Sequence, residues 1–221
     1  MGAFLKMTSS PVMYVALIQD LPPANGEEKT VAIVAAAHDV SSLSLVTRGS
    51  AKEIMRFSAR SVALALQPGN MIKASANNDF AYCVYGLKNS SGTTAILVAN
   101  TSYAIRFANH YLKEILSLAM NLPPNKLNVS KDAVGPKEDG GLVDLVPLLK
   151  RAQRPEENDQ LSKLAKDIDE VRDMAYANLE KIVERGRSLD EVMKKSDDLS
   201  AASKMFLKEA KKTNCRLCAV L

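Results

Sequence analysis

The chain has 221 residues, a formal net charge of +4 and 47% hydrophobic residues. This length predicts one medium-sized domain with an appendage, or two small domains, and the composition provides enough apolar residues for a core. No run of eighteen apolar residues occurs and the first residues lack the apolar core of a signal peptide, so we expect neither a spanning helix nor secretion. The mild charge gives no indication of nucleic-acid binding.

Apolar runs before residue 140 predict an α+β domain. Strands are expected at 11–19, 31–37, 71–76, 79–87 and 93–100, with a hairpin-type connection between the last two. A first helix is expected to begin at Ser50, where Glu53 completes a capping box, and to end before Pro68. A second helix is expected at 103–122 and ends before Pro123. This order predicts a mainly antiparallel sheet flanked by helices.

The domain is predicted to cover residues 11–127. A linker at 128–159 follows, because Gly, Pro, Lys and Glu dominate its composition. Within it, residues 142–151 (LVDLVPLLKR) are apolar enough for a short helix, which either docks on the domain or is a plain surface helix.

Residues 160–213 contain no proline, and a series of residues can be traced through them at alternating spacings of three and four. The residues outside this series are mostly charged. That spacing is typical of a coiled-coil seam. The seam runs through Leu161, Leu164, Ile168, Val171, Ala175, Asn178, Ile182, Arg185, Leu189, Val192, Ser196, Leu199, Ser203, Phe206, Ala210 and Thr213. The helix would be roughly 80 Å long, too long for the domain to cover, so the seam is expected to meet other long helices. Asn178 and Gly186 weaken the isolated helix, so we expect this segment to fold on assembly.

Arg185 stands in the middle of the seam. A guanidinium in an apolar bundle is strongly unfavourable unless most of its five donors are hydrogen-bonded. It therefore indicates a polar layer that fixes the register, satisfied by carbonyl groups such as Gln side chains from partner helices. The alternative is a drift of the seam that leaves Arg185 outside.

The sequence ends in Cys218-Ala219-Val220-Leu221, a prenylation signal in which a terminal Leu favours geranylgeranyl. One lipid chain holds a protein only weakly, and Cys215 is placed to carry a second. A basic run suited to anionic headgroups precedes them. It comprises Lys204, Lys208, Lys211, Lys212 and Arg216. A zinc or redox site at the CxxC formed by the two cysteines would need a second ligand pair or a folded surround, and neither is predicted.

Residues 183–214 (VERGRSLDEVMKKSDDLSAASKMFLKEAKKTN) resemble the R-SNARE motif. The resemblance extends over 161–221 and is closest to the prenylated longin-domain R-SNAREs, the YKT class of synaptobrevin homologues. The strings NDFAYCVYGL and TTAILVANTSYAIRFANHYLKEIL are similar to a longin domain. The resemblance implies a profilin-like longin domain, a five-stranded antiparallel sheet flanked by helices, followed by a long coiled-coil SNARE helix.

The resemblance also assigns roles to residues. Arg185 would be the zero-layer arginine, meeting one Gln from each of three Q-SNARE helices. A protein prenyltransferase would modify Cys218, and Cys215 would take the second lipid, although here two residues separate cysteines that the family usually has adjacent or nearly so. The longin domain would fold back on its own SNARE helix, and Phe57 stands where an apolar residue matters for that closure. Phe57 is otherwise a simple core residue. About ten residues precede the first strand, where the family usually begins at once.

The expected function is that of an R-SNARE in vesicle-mediated transport, which zips with Q-SNAREs to drive membrane fusion. Lipid anchors would hold it on the cytosolic face of Golgi, endoplasmic reticulum, endosome or vacuole. A disassembly ATPase with its adaptor would have to be external, because no phosphate-binding loop occurs. A small GTPase needs the same loop and is therefore disfavoured. A hydrolase is disfavoured because the sequence has only two histidines, His38 and His110, and no GxSxG elbow. We expect no enzyme activity, cofactor or metal; the alternative function is a non-fusogenic longin tether.

Overall fold

The five predicted strands form one sheet in which each is antiparallel to its neighbour. The computed structural model describes residues 10–23, 29–75, 82–135, 137–157, 175–183 and 189–217. Its strands are β1 Val12–Leu21, β2 Thr30–His38, β3 Met71–Ser75, β4 Tyr82–Lys88, β5 Thr93–Asn100, β6 Gly140–Gly141 and β7 Ala175–Asn178. Their order across the sheet is β6-β2-β1-β5-β4-β3-β7. The short β6 and β7 extend the five-stranded sheet at its two edges, so the predicted fold class is confirmed.

Helices cover both faces of the sheet. They are α1 Leu45–Ala65, α2 Ile105–Met120, α3 Pro124–Leu127, α4 Val146–Ala152, α5 Leu179–Val183, α6 Leu189–Lys195 and α7 Ala201–Leu217, with a 3₁₀ turn at Pro155–Glu157. None of the described helices is both long enough and apolar enough to cross a bilayer.

The side chains of β1 alternate between two buried clusters, because successive residues of a strand point to opposite faces. Tyr14 and Ile18 lie in the cluster that contains α1. Val15 and Leu17 lie in the cluster that contains α2 and α4. Coverage of both faces explains why the strand reads as a continuous apolar run.

The start of α1 differs from the prediction. The helix begins at Leu45 rather than Ser50, and the N-cap residue Ser44 makes no side-chain capping hydrogen bond. Instead, Arg48 donates to the carbonyls of Ser41 (2.7 Å) and Leu43 (3.0 Å) and so holds the turn before the helix. The capping-box pattern of Ser50 and Glu53 is therefore a chance match inside a longer helix.

The segment predicted as a linker is packed against the domain over its described length. Asp132 accepts a hydrogen bond from the backbone N–H of Ile33 in β2 at 2.7 Å. Gln153 bonds both the N–H and the carbonyl of Val12 in β1. Helix α4, which lies within the stretch 142–151 apart from its last residue, buries apolar side chains in the α2 cluster. The folded body of the described chain thus continues to residue 157.

His38 at the end of β2 is a buried titratable group. Its side chain is fully buried, its Nδ1 lies 2.7 Å from the Oδ1 atom of Asp139, and its ring lies beside Tyr14. Burial lowers the pKa of His38 to about 4, against the opposing effect of the Asp139 hydrogen bond. The charged imidazolium is therefore disfavoured in the folded chain.

The free energy of unfolding is expected to fall by ~2 kcal/mol between pH 7 and pH 5, because the unfolded chain takes up a proton near pH 6.5 and the folded chain does so only near its lower pKa. The loss should begin below pH 6.5 and be complete below about pH 4. Urea unfolding of the wild type and of His38→Gln at both pH values measures it. Equal pH dependence in the two proteins would remove His38 as the cause.

Candidate functional site

The predicted coiled-coil segment is described only in part. Leu161, Leu164, Ile168, Val171, Arg185 and Cys218 lie outside the described residues. The side-chain surroundings of Leu189, Ala210, Thr213 and Cys215 are likewise outside them, although their backbones lie in α6 and α7. The seam residues that can be placed are Ala175, Asn178, Ile182, Val192, Ser196, Leu199, Ser203 and Phe206. Residues 175–183 and 189–217 are called the C-terminal segment below.

The C-terminal segment begins with a strand rather than with a helix. β7 pairs in parallel with β3, with Ala175 opposite Ile72 and Asn178 opposite Ser75. Residues 196–200, between α6 and α7, are not helical either, so the described residues do not form the continuous helix expected from 161 to 213. The open edge of β3 offers backbone hydrogen bonds, whereas a lone helix would leave its seam in water. The continuous helix stays a prediction for the assembled state.

Apolar side chains of the C-terminal segment are buried on the side of the sheet that carries α1. Leu179, Val183, Met193 and Leu199 are at most 9% exposed. They belong to the same buried cluster as Phe57. The segment is therefore packed as part of the core on this side of the sheet.

One face of α1 provides the contact surface. Glu53, Phe57 and Arg60 follow one another at spacings of four and three residues, which places them on a common helix face. Glu53 and Arg60 both bond residues of the C-terminal segment, Ser203 and Asp198 respectively. Phe57 lies between these two polar contacts along α1, where closure of the segment would cover it.

Two arginines and two aspartates join α1 to the C-terminal segment. The Nε of Arg56 donates to Asp198 Oδ1 at 2.8 Å, and the Nε of Arg60 donates to Asp198 Oδ2 at 2.7 Å. Both guanidinium groups also donate to the Oδ2 of Asp132. We call Arg56, Arg60, Asp132 and Asp198 the arginine–aspartate network.

The arginine–aspartate network is balanced in charge and largely buried. The side chains of Arg56 and Asp198 are 1% and 7% exposed, whereas Arg60 and Asp132 are 23% and 31% exposed and border a cleft of about 620 Å³. Burial by itself would raise the pKa of Asp132, but Arg60, the Ile33 N–H and Arg56 outweigh it and lower that pKa. Removal of one charge would leave its buried partner without a counter-charge. The free-energy cost of that change is larger than the net stabilisation that the ion pair provides.

Glu53 holds the start of α7. Its Oε2 accepts a hydrogen bond from the hydroxyl of Ser203 at 2.6 Å and from the N–H of Ser200 at 2.8 Å, and its Oε1 lies 2.8 Å from Lys137 Nζ. Burial would raise the pKa of Glu53, but the hydrogen bonds from Lys137, Ser203 and Ser200 lower it to about 2. A carboxylate at a helix N-terminus satisfies unpaired N–H groups and interacts favourably with the helix dipole. Glu53, expected to cap its own helix, therefore caps α7.

The residues of the arginine–aspartate network were not predicted from the sequence. Arg56 and Arg60 lie four residues apart in α1, beside the apolar positions Ile54 and Phe57. Two arginines at the border of an apolar stripe could have indicated a partner that brings carboxylates. No local pattern, however, singles out Asp198 in a segment rich in charge.

A metal centre is not formed by the placed residues: within the described ranges, no group of three or more His, Cys, Asp or Glu side chains could hold an ion.

Comparison with known proteins relates both halves of the chain to one group. The family model described as Synaptobrevin matches residues 160–220. The chain is 30% identical over 191 residues to "VAMP-like protein YKT61" of Arabidopsis thaliana, covering 86% of this chain and 90% of the relative. It is 29% identical over 193 residues to "Synaptobrevin homolog ykt6" of Schizosaccharomyces pombe, covering 85% and 91%. The Saccharomyces cerevisiae "Synaptobrevin homolog YKT6" is 27% identical over 194 residues, covering 86% and 92%.

Proposed function

The chain belongs to the Ykt6 class of synaptobrevin homologues, R-SNAREs of vesicle-mediated transport, and we propose that residues 160–213 assemble with three Q-SNARE helices to drive membrane fusion. The observation that carries this proposal is the match of the family model to 160–220, the same stretch in which the seam runs through Arg185. Arg185 would meet a Gln from each partner helix in the zero layer, and the other seam residues would form the apolar layers around it.

The chain alternates between a closed form and an open, assembling form. In the described conformation the seam residues Leu199 and Ser203 are 5% and 0% exposed. They cannot lie against α1 and inside a four-helix bundle at the same time. The longin domain thus inhibits assembly, and Phe57 contributes to this closure as a member of the cluster that buries Leu199.

Assembly performs work because the bundle buries the complete seam, of which the closed form buries only part. Apolar surface removed from water stabilises the assembled state by about 25 cal/mol per Å² before the entropy of ordering is subtracted. If the helices zip toward anchors in two opposed bilayers, this free energy draws the bilayers together. The chain acts by assembly and catalyses no reaction, so a separate ATPase with its adaptor takes the complex apart.

Lipids attached to the tail hold the protein on membranes. A protein prenyltransferase adds a geranylgeranyl group to Cys218, and Cys215 receives a second lipid, which converts weak attachment into stable anchoring. Lys204 and Lys208 on α7 precede this tail in the sequence and favour an anionic leaflet. The protein is accordingly peripheral on endomembranes, on the cytosolic face of the Golgi, endoplasmic reticulum, endosome or vacuole.

Fusion of liposomes that carry Q-SNAREs tests this proposal. Arg185→Ala is expected to lower the yield of correctly registered complex and the rate of lipid mixing, whereas Arg187→Ala, two residues away and outside the seam, should act as wild type. Cys218→Ser should abolish membrane attachment and leave assembly in solution intact. Wild-type behaviour of both Arg185→Ala and Cys218→Ser contradicts the proposal. Clustering of liposomes without lipid mixing would favour a tether instead.

A further inference from the structure

We propose that helices α5 and α6 have two separate faces, one for closure onto the longin domain and one for the SNARE bundle; this inference rests on the function proposed above. The first face consists of Leu179, Val183 and Met193, which are 6%, 9% and 1% exposed. None of the three belongs to the seam. We call them the off-seam face.

Each residue of the off-seam face directly follows a seam residue. Asn178, Ile182 and Val192 are the seam residues in question, and all three are only half-buried in the closed chain. A step of one residue turns the direction of a side chain by about 100° around a helix axis. In α5 and α6 the off-seam residues Val183 and Met193 are therefore buried in the cluster that contains α1, and the seam residues Ile182 and Val192 lie at the border of that cluster.

The residues that are buried in the closed chain change from off-seam residues in α6 to seam residues at the start of α7. Residues 196–200 are not helical, so α7 can adopt a different rotation about its axis. Here the buried residues, Leu199 and Ser203, are members of the seam. The hydroxyl of Ser203 is bonded to Glu53, so a polar contact as well as burial fixes this rotation.

The closed chain consequently conceals the seam unevenly. Ala175 lies in β7 and is exposed, and Ile182 and Val192 are half-buried at the edge of the cluster that contains α1. Leu199 and Ser203 become accessible only after α7 leaves α1. Release of α7 from Glu53 therefore controls completion of the bundle.

Single substitutions distinguish the contributions of the two faces to closure and to the SNARE complex. The experiment compares Met193→Asn on the off-seam face with Leu199→Asn in the seam, and uses Lys194→Asn, at an exposed position, as control. The probe is a purified set of three Q-SNARE motifs that forms a stable complex with the full wild-type chain. Both substitutions in buried positions are expected to speed assembly by about tenfold or more, because each removes apolar burial from the closed form. Only Leu199→Asn should lower the melting temperature of the finished complex.

Val183→Asn provides a second off-seam variant, which should behave as Met193→Asn does. The inference is overturned if both off-seam variants lower the melting temperature of the complex as much as Leu199→Asn. It is also overturned if neither variant speeds assembly or raises hydrogen exchange in the C-terminal segment. A wild-type chain that forms no complex with any Q-SNARE set contradicts the proposed function itself, which keeps the two failures distinct.

Discussion

Asp198→Ala is expected to shift the chain from the closed toward the open form by more than a hundredfold. In the closed form Arg56 is 1% exposed, and among the described residues it would keep Asp132 as its ionic partner. Breaking a buried ion pair by removing one partner typically costs 3–5 kcal/mol, and ~3 kcal/mol corresponds to a factor above one hundred. In the open form water solvates the guanidinium, so the cost falls on closure alone.

Hydrogen exchange measures this shift. Amide protection should decrease in β3, β7 and α7 of Asp198→Ala, whereas β1 and β5 in the centre of the sheet should stay protected. Asp197→Ala is the matched control, because Asp197 is exposed and adjacent. Unchanged protection of the C-terminal segment in Asp198→Ala would show that the arginine–aspartate network does not hold the closed form.

Phe57→Ala is expected to open the chain while the sheet stays folded. Removal of a buried Phe side chain typically costs 3–5 kcal/mol through lost burial and the resulting cavity. Phe57 is 5% exposed, shares its cluster with Met193 and Leu199, and lies on the α1 face that carries Glu53 and Arg60. Most of the loss should therefore fall on docking of the C-terminal segment, and Q-SNARE assembly should become faster.

Val62→Ala is the control, because Val62 belongs to the same buried cluster but faces the sheet. Val62 is fully buried in α1 and faces the sheet, where its Cγ1 lies 3.1 Å from the position of a Cβ atom at Gly86 in β4. Val62→Ala should lower the melting temperature of the domain and leave the fraction of chains in the open form unchanged. If Phe57→Ala gives the same pair of results as Val62→Ala, Phe57 is a core residue without a part in closure.

The order of strands and helices could be predicted from the sequence because it depends on local periodicity. The run from Pro11 to Gln19 indicated a strand buried on both faces, and β1 is covered by α1 on one side and by α2 and α4 on the other. The end of α1 before Pro68 was also predictable, since proline terminates helices. The beginning of α1 was not predictable, because Ser50 and Glu53 match the sequence pattern of a capping box by chance. The carboxylate of Glu53 instead accepts a hydrogen bond at the start of α7.

The seam through Arg185 and the cysteine-containing tail follow from the sequence by itself, since spacing and terminal motifs are properties of neighbouring residues. The tertiary structure alone decided how the C-terminal segment is used when no partner is present. Arg56 and Asp198 are 142 residues apart in the chain, and β7 pairs with β3 across a comparable distance in sequence. Such contacts arise because α1 offers a matching face and β3 an open edge, and a local pattern cannot encode the position of either.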